Sequence, residues 1–403
     1  MLVPFITTFQ KAFTGLSRST WLLSMVMLIN RSGTMVVPFM TLYLTTKMGY
    51  SISQAGYVFG LFGFGAFTGA YLGGRLTDKI GFHKVQLIAL FGGGILFFIL
   101  AEMKTYPLIC LVTYLLSFVN EAFRPANSTA IAFYSKPENR TRSYALNRLA
   151  INLGWAVGVA LGGVLAKINY ELIFWVDGVT NILAAFMLII FVKPSNFIAH
   201  KNENKHTRPV LSAYKDKTYL MFILLTVIFA GCFFQLFTNL SVFLKKDLHF
   251  TEPVIGFLFA LNGIIIALVE MVIIYRLEGK RNNLYYISIG VFLVGLAFLL
   301  LAIPGIGIGM ALLMIFLVTF GEILSMPFMN SFWITRSQQE NRGQYAALYS
   351  MAWSAAQTIG PITGSQLADR FGFFWLWLTV GIICLIVSLF YRKMLHTVLA
   401  KKK

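Results

Sequence analysis

Six charged residues stand inside stretches that are otherwise apolar: Arg31, Glu121, Arg124, Asp177, Glu270 and Glu322. A lone charge near the centre of a bilayer costs about 2.5–3.5 kcal/mol on the insertion scale, so such groups must meet partners or face a water-filled cavity. The chemistry open to them is ion pairing, proton carriage and the orientation of a charged solute. Glu121, Arg124 and Ser128 fall at i, i+3 and i+7 on one helix face, and Arg31, Thr34 and Pro38 fall on another. Glu121 is expected to pair with Arg31 and to orient substrate. Glu322 has no base near it in sequence and is the carboxylate best suited to carry a proton. Glu270 is a further proton-coupling candidate, although Arg276 lies within its reach; Asp177 is expected to make an inter-helix hydrogen bond. Phe39, Tyr43, Trp155, Gln235, Asn239, Trp353 and Gln357 are expected to join Arg31, Glu121 and Arg124 around a substrate cavity. Rings beside amides and carboxylates suit amphipathic or cationic compounds.

Residues of this kind need long apolar helices to hold them. The chain has 403 residues, 58% hydrophobic and only 12% charged, against about 25% charged in a soluble protein. Runs of about 20 apolar residues predict twelve membrane spans: 20–45, 53–74, 84–103, 107–134, 142–166, 170–192, 218–244, 253–275, 284–302, 307–335, 343–368 and 372–391. The one long polar connection, 193–217, divides an N-terminal half (1–192) from a C-terminal half (218–403). The formal charge of +18 is not arranged in stripes with exposed aromatics, which speaks against nucleic acid. The bases gather instead in the loops on one side of the spans, and the positive-inside rule then puts both termini in the cytoplasm.

The two halves repeat one another. At a shift of 200, Leu44, Gly56, Phe59, Leu61 and Gly63 meet Leu244, Gly256, Phe259, Leu261 and Gly263, and Asp78 meets Glu278. At 202, Glu138-Asn139-Arg140 meets Glu340-Asn341-Arg342, Pro125 meets Pro327, and Gly158 and Gly162 meet Gly360 and Gly364. Glycines also form ladders at helical spacing, Gly65, Gly69 and Gly73 in the second span and Gly154, Gly158 and Gly162 in the fifth. Small-residue faces let helices pack backbone to backbone in lipid.

The connection after the second span reads Gly73-Gly74-Arg75-Leu76-Thr77-Asp78-Lys79-Ile80-Gly81-Phe82-His83-Lys84. It resembles the signature of the major facilitator superfamily, G-x-L-A-D-R-x-G-R-K, at Gly74, Asp78, Lys79, Gly81 and Lys84; Phe82 and His83 depart from it. The fifth-span ladder resembles that family's antiporter motif, with Val159 where a proline belongs; the proline stands in the eleventh span, Gly360-Pro361 before Gly364. Asn30-Arg31-x-Gly33 with Pro38, taken with Arg124-Pro125-Ala126, resembles the twelve-span drug:proton antiporter family, nearest its MdtH-type multidrug exporters. The resemblance implies an all-α membrane fold of two pseudo-symmetric six-helix halves. It also implies gating by the motif residues together with Arg140, Glu278 and Arg342.

No nucleotide-binding loop, metal-ligand set or hydrolase motif is present, so neither an enzyme nor a cofactor is expected. Cys110, Cys232 and Cys384 have no disulfide or metal spacing. The expected function is alternating-access secondary transport, a proton-coupled efflux of small amphipathic or cationic organic compounds by a monomer in the bacterial inner membrane. Proton-coupled uptake of a metabolite is the alternative within that class; a non-transporting membrane scaffold or sensor is the alternative outside it.

Overall fold

The computed structural model describes residues 15–136, 140–192, 212–277, 279–305, 307–337 and 342–400. The first span consists of two helices, α1 (Arg18–Ser32) and α2 (Val36–Thr46). The second and third are α3 (Ile52–Ile80) and α4 (Phe82–Glu102). The fourth is again divided, into α5 (Tyr106–Glu121) and α6 (Phe123–Tyr134), and α7 (Arg140–Ile168) and α8 (Glu171–Phe191) follow. The seventh comprises α9 (Lys217–Phe233), α10 (Gln235–Thr238) and α11 (Leu240–Lys246). The last five are α12 (Glu252–Leu277), α13 (Asn283–Leu301), α14 (Ile308–Arg336), α15 (Arg342–Phe371) and α16 (Phe373–Ala400). Among the described residues eleven spans are long and apolar enough to cross a membrane. The twelfth, α15, has the length (30 residues) but carries more polar side chains. Among the described residues the fold is all-α, its helices grouped into twelve spans.

Two of the interruptions have one cause. Proline lacks an N–H, and its ring collides with the carbonyl four residues earlier. Pro38 therefore stops a helix from running through Thr34, and Pro125 stops one from running past Glu121. The helices end at Ser32 and Glu121 accordingly. The seventh span breaks at Phe234 and Asn239 without a proline.

Packing divides the chain into two compact units, residues 1–37 with 65–201 and residues 38–64 with 202–403. In the first, the glycine ladder of α3 lies against the fourth span. A Cβ on Gly65 would stand 2.5 Å from the Tyr114 carbonyl oxygen, one on Gly69 would collide with Phe118, and one on Gly73 would stand 2.5 Å from Ala122 Cα. The α7 ladder lies against α1. A Cβ on Gly154 would be 2.7 Å from Arg31 Cβ, and one on Gly158 2.9 Å from the Ser32 carbonyl oxygen. In the second unit Gly360 meets Gly231 backbone to backbone, and Gly364 meets the Gln235 side chain.

The repeat extends to details that residue identity does not show. The backbone closing α2, Lys47 N–H to Tyr43 and Tyr50 N–H to Leu44, recurs as Asp247 N–H to Phe243 and Phe250 N–H to Leu244. His249 takes a φ of 56° there, where the first copy has Gly49 at 72°. Helix N-caps recur as well: Ser17 accepts from the Thr20 N–H and donates to the Tyr134 carbonyl, while Asp216 accepts from the Tyr219 N–H and pairs with Arg336.

Candidate functional site

In the first unit the break between α5 and α6 falls beside Glu121, and Glu121 pairs with Arg124 one turn on, Oε2 to Nη2 at 2.9 Å. The expected ion pair of Glu121 with Arg31 is thus corrected: the i, i+3 spacing gives Arg124 the shorter reach, and Arg31 acts on both residues at longer range. The Arg124 side chain is 66% exposed and that of Glu121 11%. Arg124 lies ten residues from the Tyr134 end of its 29-residue span, about 15 Å along the helix. Arg31 is partly buried, its Nε enclosed without a hydrogen-bond partner among the described residues. The two ladders therefore do more than hold helices together. The α3 ladder seats Ala122, next to Glu121, and the α7 ladder seats the backbone of Arg31 itself.

A polar framework surrounds these charges. Asp177, 1% exposed on α8, accepts from the Met35 N–H (3.1 Å) and the Val36 N–H (2.9 Å) and so caps the second half of the broken first span. A carboxylate there offsets the positive end of the helix dipole and supplies acceptors that the break removes. One turn away Asn30 donates to Asn181 at 3.0 Å, and Asn181 donates to the Asp177 carbonyl at 2.8 Å. The inter-helix bond expected of Asp177 is thus made to backbone N–H groups, which Pro38 beyond Gly33 signals in the sequence. Residue identity does not show the buried amide chain across three spans, Gln86 to Asn127 (3.2 Å) to Asn147 (3.1 Å). Trp155, on α7, is partly exposed.

In the second unit the expected residues separate. Gln235 and Asn239 are 2% and 0% exposed: Gln235 donates to the carbonyls of Gly231 (3.0 Å) and Gly360 (2.8 Å), and Asn239 donates to Gln235 Oε1 (2.6 Å). Both are corrected from cavity wall to helix packing, because a buried amide must find partners and the broken seventh span supplies them. Phe39 and Tyr43, also expected on the wall, are buried at 0% and 3%. Trp353 and Gln357 remain partly exposed on α15. The Trp353 ring meets Phe234 at 6.1 Å and Tyr349 at 6.3 Å edge to face, with its indole Nε1 buried and without a partner among the described residues. Glu322 is partly exposed on α14, and Glu270 is buried at 3% on α12.

At the N-terminal end of α9 Asp216 accepts Arg336 Nη2 (2.7 Å) and the Tyr345 hydroxyl (2.8 Å), a network that residue identity does not show. Burial pushes the Asp216 pKa up, but its bonds to Arg336, Tyr345 and the Tyr219 N–H outweigh this and hold it below the usual carboxylate range. Of the gating positions, Gly74, Lys79, Gly81 and Lys84 are described at the end of α3 and the start of α4. Glu278 and the side chains of Asp78, Arg140 and Arg342 lie outside the described residues, as does 193–211 of the linker. Gly162 and Pro361 are buried within α7 and α15.

Comparison with known proteins agrees with this architecture. The chain is 24% identical over 386 residues to the uncharacterized MFS-type transporter YttB of Bacillus subtilis, covering 92% of this chain and 93% of that protein. It is 24% identical to a Na(+), Li(+), K(+)/H(+) antiporter of Planococcus maritimus, covering 91% and 93%. It is 21% identical to the quinolone resistance protein NorA of Staphylococcus aureus, covering 83% and 86%. A crystal structure of the nucleoside transporter NupG superposes with a TM-score of 0.79 at 15% identity, over 94% of this chain and all of that one. The model of the Major Facilitator Superfamily matches residues 20–356, and the chain, a multi-pass membrane protein, belongs to that superfamily.

Proposed function

We propose that this protein is a proton-coupled secondary transporter that exports small amphipathic organic compounds by alternating access. The observation that carries the reading is the Glu121–Arg124 pair at a broken span, with Arg124 two-thirds open ten residues inside that span. A guanidinium at that depth is too costly to leave against lipid, so it faces water, and a water-filled pathway inside the bilayer is what a transporter needs. A scaffold or sensor has no use for it. The antiporter and drug-resistance relatives favour export over uptake.

In this reading the halves 1–192 and 218–403 act as the two moving bodies of a monomer in the bacterial cytoplasmic membrane, with both termini inside. Glu322 carries the proton. Glu121, held by a permanently charged Arg124, is the poorer carrier and orients substrate, and Glu270 is the reserve. The stretch from Gly74 to Lys84, the end of α3 and the start of α4 with Asp78 near its middle, gates the cytoplasmic side. Purified protein in proteoliposomes with an imposed pH gradient should accumulate or expel test compounds in proportion to the gradient. Collapse of the gradient without effect on flux would refute the coupling.

A further inference from the structure

Two guanidiniums, Arg31 and Arg124, share one carboxylate, Glu121, which among the described residues pairs with Arg124 Nη2; Asp177, the other buried carboxylate of this unit, spends its oxygens on the Met35 and Val36 N–H groups. A guanidinium has five N–H donors in a planar fork that matches a carboxylate. Arg124 uses one terminal nitrogen on Glu121 and leaves its side chain two-thirds exposed. The Arg31 Nε finds no partner among the described residues. Ser128, a turn beyond Arg124, is also exposed. A net positive charge of this kind repels lipophilic cations and attracts oxyanions, most strongly where water is scarce.

We propose that the first unit holds a recognition site for the acidic head of an amphipathic substrate, a carboxylate bound by the open fork of Arg124 with Arg31 supplying the second positive charge. The role of Glu121 is then to fix Arg124, so that its free donors point the same way in every binding event. The inference rests on the transporter reading above and narrows its substrate class. The cationic compounds expected from the intramembrane carboxylates give way to organic acids.

The test uses three probes with one ring system and three head groups: 1-naphthylacetate, 1-naphthylacetamide and 1-(1-naphthyl)ethylammonium. Binding to the full-length protein in detergent is measured by calorimetry, and gradient-driven flux in proteoliposomes by fluorescence. The acid should bind at least about tenfold more tightly than the amide or the amine, the margin of one charge-assisted contact. Arg124→Gln should abolish that preference, while Arg124→Lys keeps part of it. Tighter binding of the amine, equal binding of all three, or no binding of the acid overturns the site, and none of these results depends on a variant that folds. Acid binding without gradient-driven flux keeps the site and refutes the coupling; flux of the amine but not the acid keeps the transporter and refutes the site.

Discussion

A charge inside a membrane protein is informative through the neighbour it chooses. Glu121 chose Arg124 on its own span rather than Arg31 on another, and the Arg124 side chain stayed exposed. A pair so exposed contributes little to stability, about 0–1 kcal/mol. A double-mutant cycle with Glu121→Gln and Arg124→Gln, read by thermal unfolding in detergent, should therefore give a coupling energy below about 1 kcal/mol, with the larger effect on transport. Asp216 is the opposite case, nearly enclosed and bonded to Arg336, Tyr345 and the Tyr219 N–H. Its depressed pKa means that its contribution is fully present above the unfolded carboxylate value, about 3.9, and is lost as pH falls through the lower folded value. Asp216→Asn should cost about 1.5–3 kcal/mol at neutral pH. Unfolding curves from pH 3 to 7 should show the wild type losing that margin below about pH 4 while the variant stays flat there; equal acid sensitivity of the two would remove the assignment.

Spans were the most legible elements, because twenty apolar residues have few other uses in a chain this poor in charge. The glycine ladders were legible as well, since four-residue spacing puts them on one face, although their partners were not: a ladder says that something approaches closely, not what. Broken helices were harder. Pro38 and Pro125 were in plain view, but proline also occurs inside the intact α14 and α15, at Pro327 and Pro361. Whether a proline ends a helix depends on whether the freed groups find partners, and that is a tertiary fact. Asp177 is such a partner for the first span. Asp177→Ala, which removes the acceptor for the Met35 and Val36 N–H groups, should cost about 1–2 kcal/mol, as loss of an N-cap does. Asp177→Asn keeps one acceptor and should cost less; hydrogen exchange at residues 35 and 36 would report the loss locally. Gln235 and Asn239 misled for a related reason. An amide in an apolar span reads as a cavity group until the break that absorbs it is seen. On the α3 ladder, Gly69→Val would force side-chain atoms into the Phe118 backbone and should lower stability by about 1–3 kcal/mol. Unchanged thermal stability of that variant would mean that the second and fourth spans can separate without cost.

At the scale of the whole molecule the repeat explains more than any single motif. Caps, hairpins and glycine contacts recur in the two copies, yet their charged groups do not: the first copy carries Arg31, Glu121 and Arg124, while in the second Gly231 stands at the place of Arg31 and Glu322 at the place of Asn120. A duplicated scaffold with unlike chemistry is what coupling of two different ligands requires. The reading above gives the organic solute to the first copy and the proton to the second. Glu322 suits the second role because it lies near mid-span on α14 and is partly exposed, so a proton can reach it from water. Glu121 is less suited, being fixed to a guanidinium that never loses its charge. If Glu322 must load and release a proton in each cycle, Glu322→Gln fixes the loaded form. That variant should lose accumulation driven by a pH gradient and yet retain exchange of labelled for unlabelled solute, because the neutral side chain still permits the change of state with cargo bound. Both activities are measurable on one proteoliposome preparation, which controls for misfolding. Gradient-driven transport at the wild-type rate would move the proton to Glu121 or Glu270, and loss of exchange together with accumulation would show that Glu322 serves the conformational change rather than the coupling.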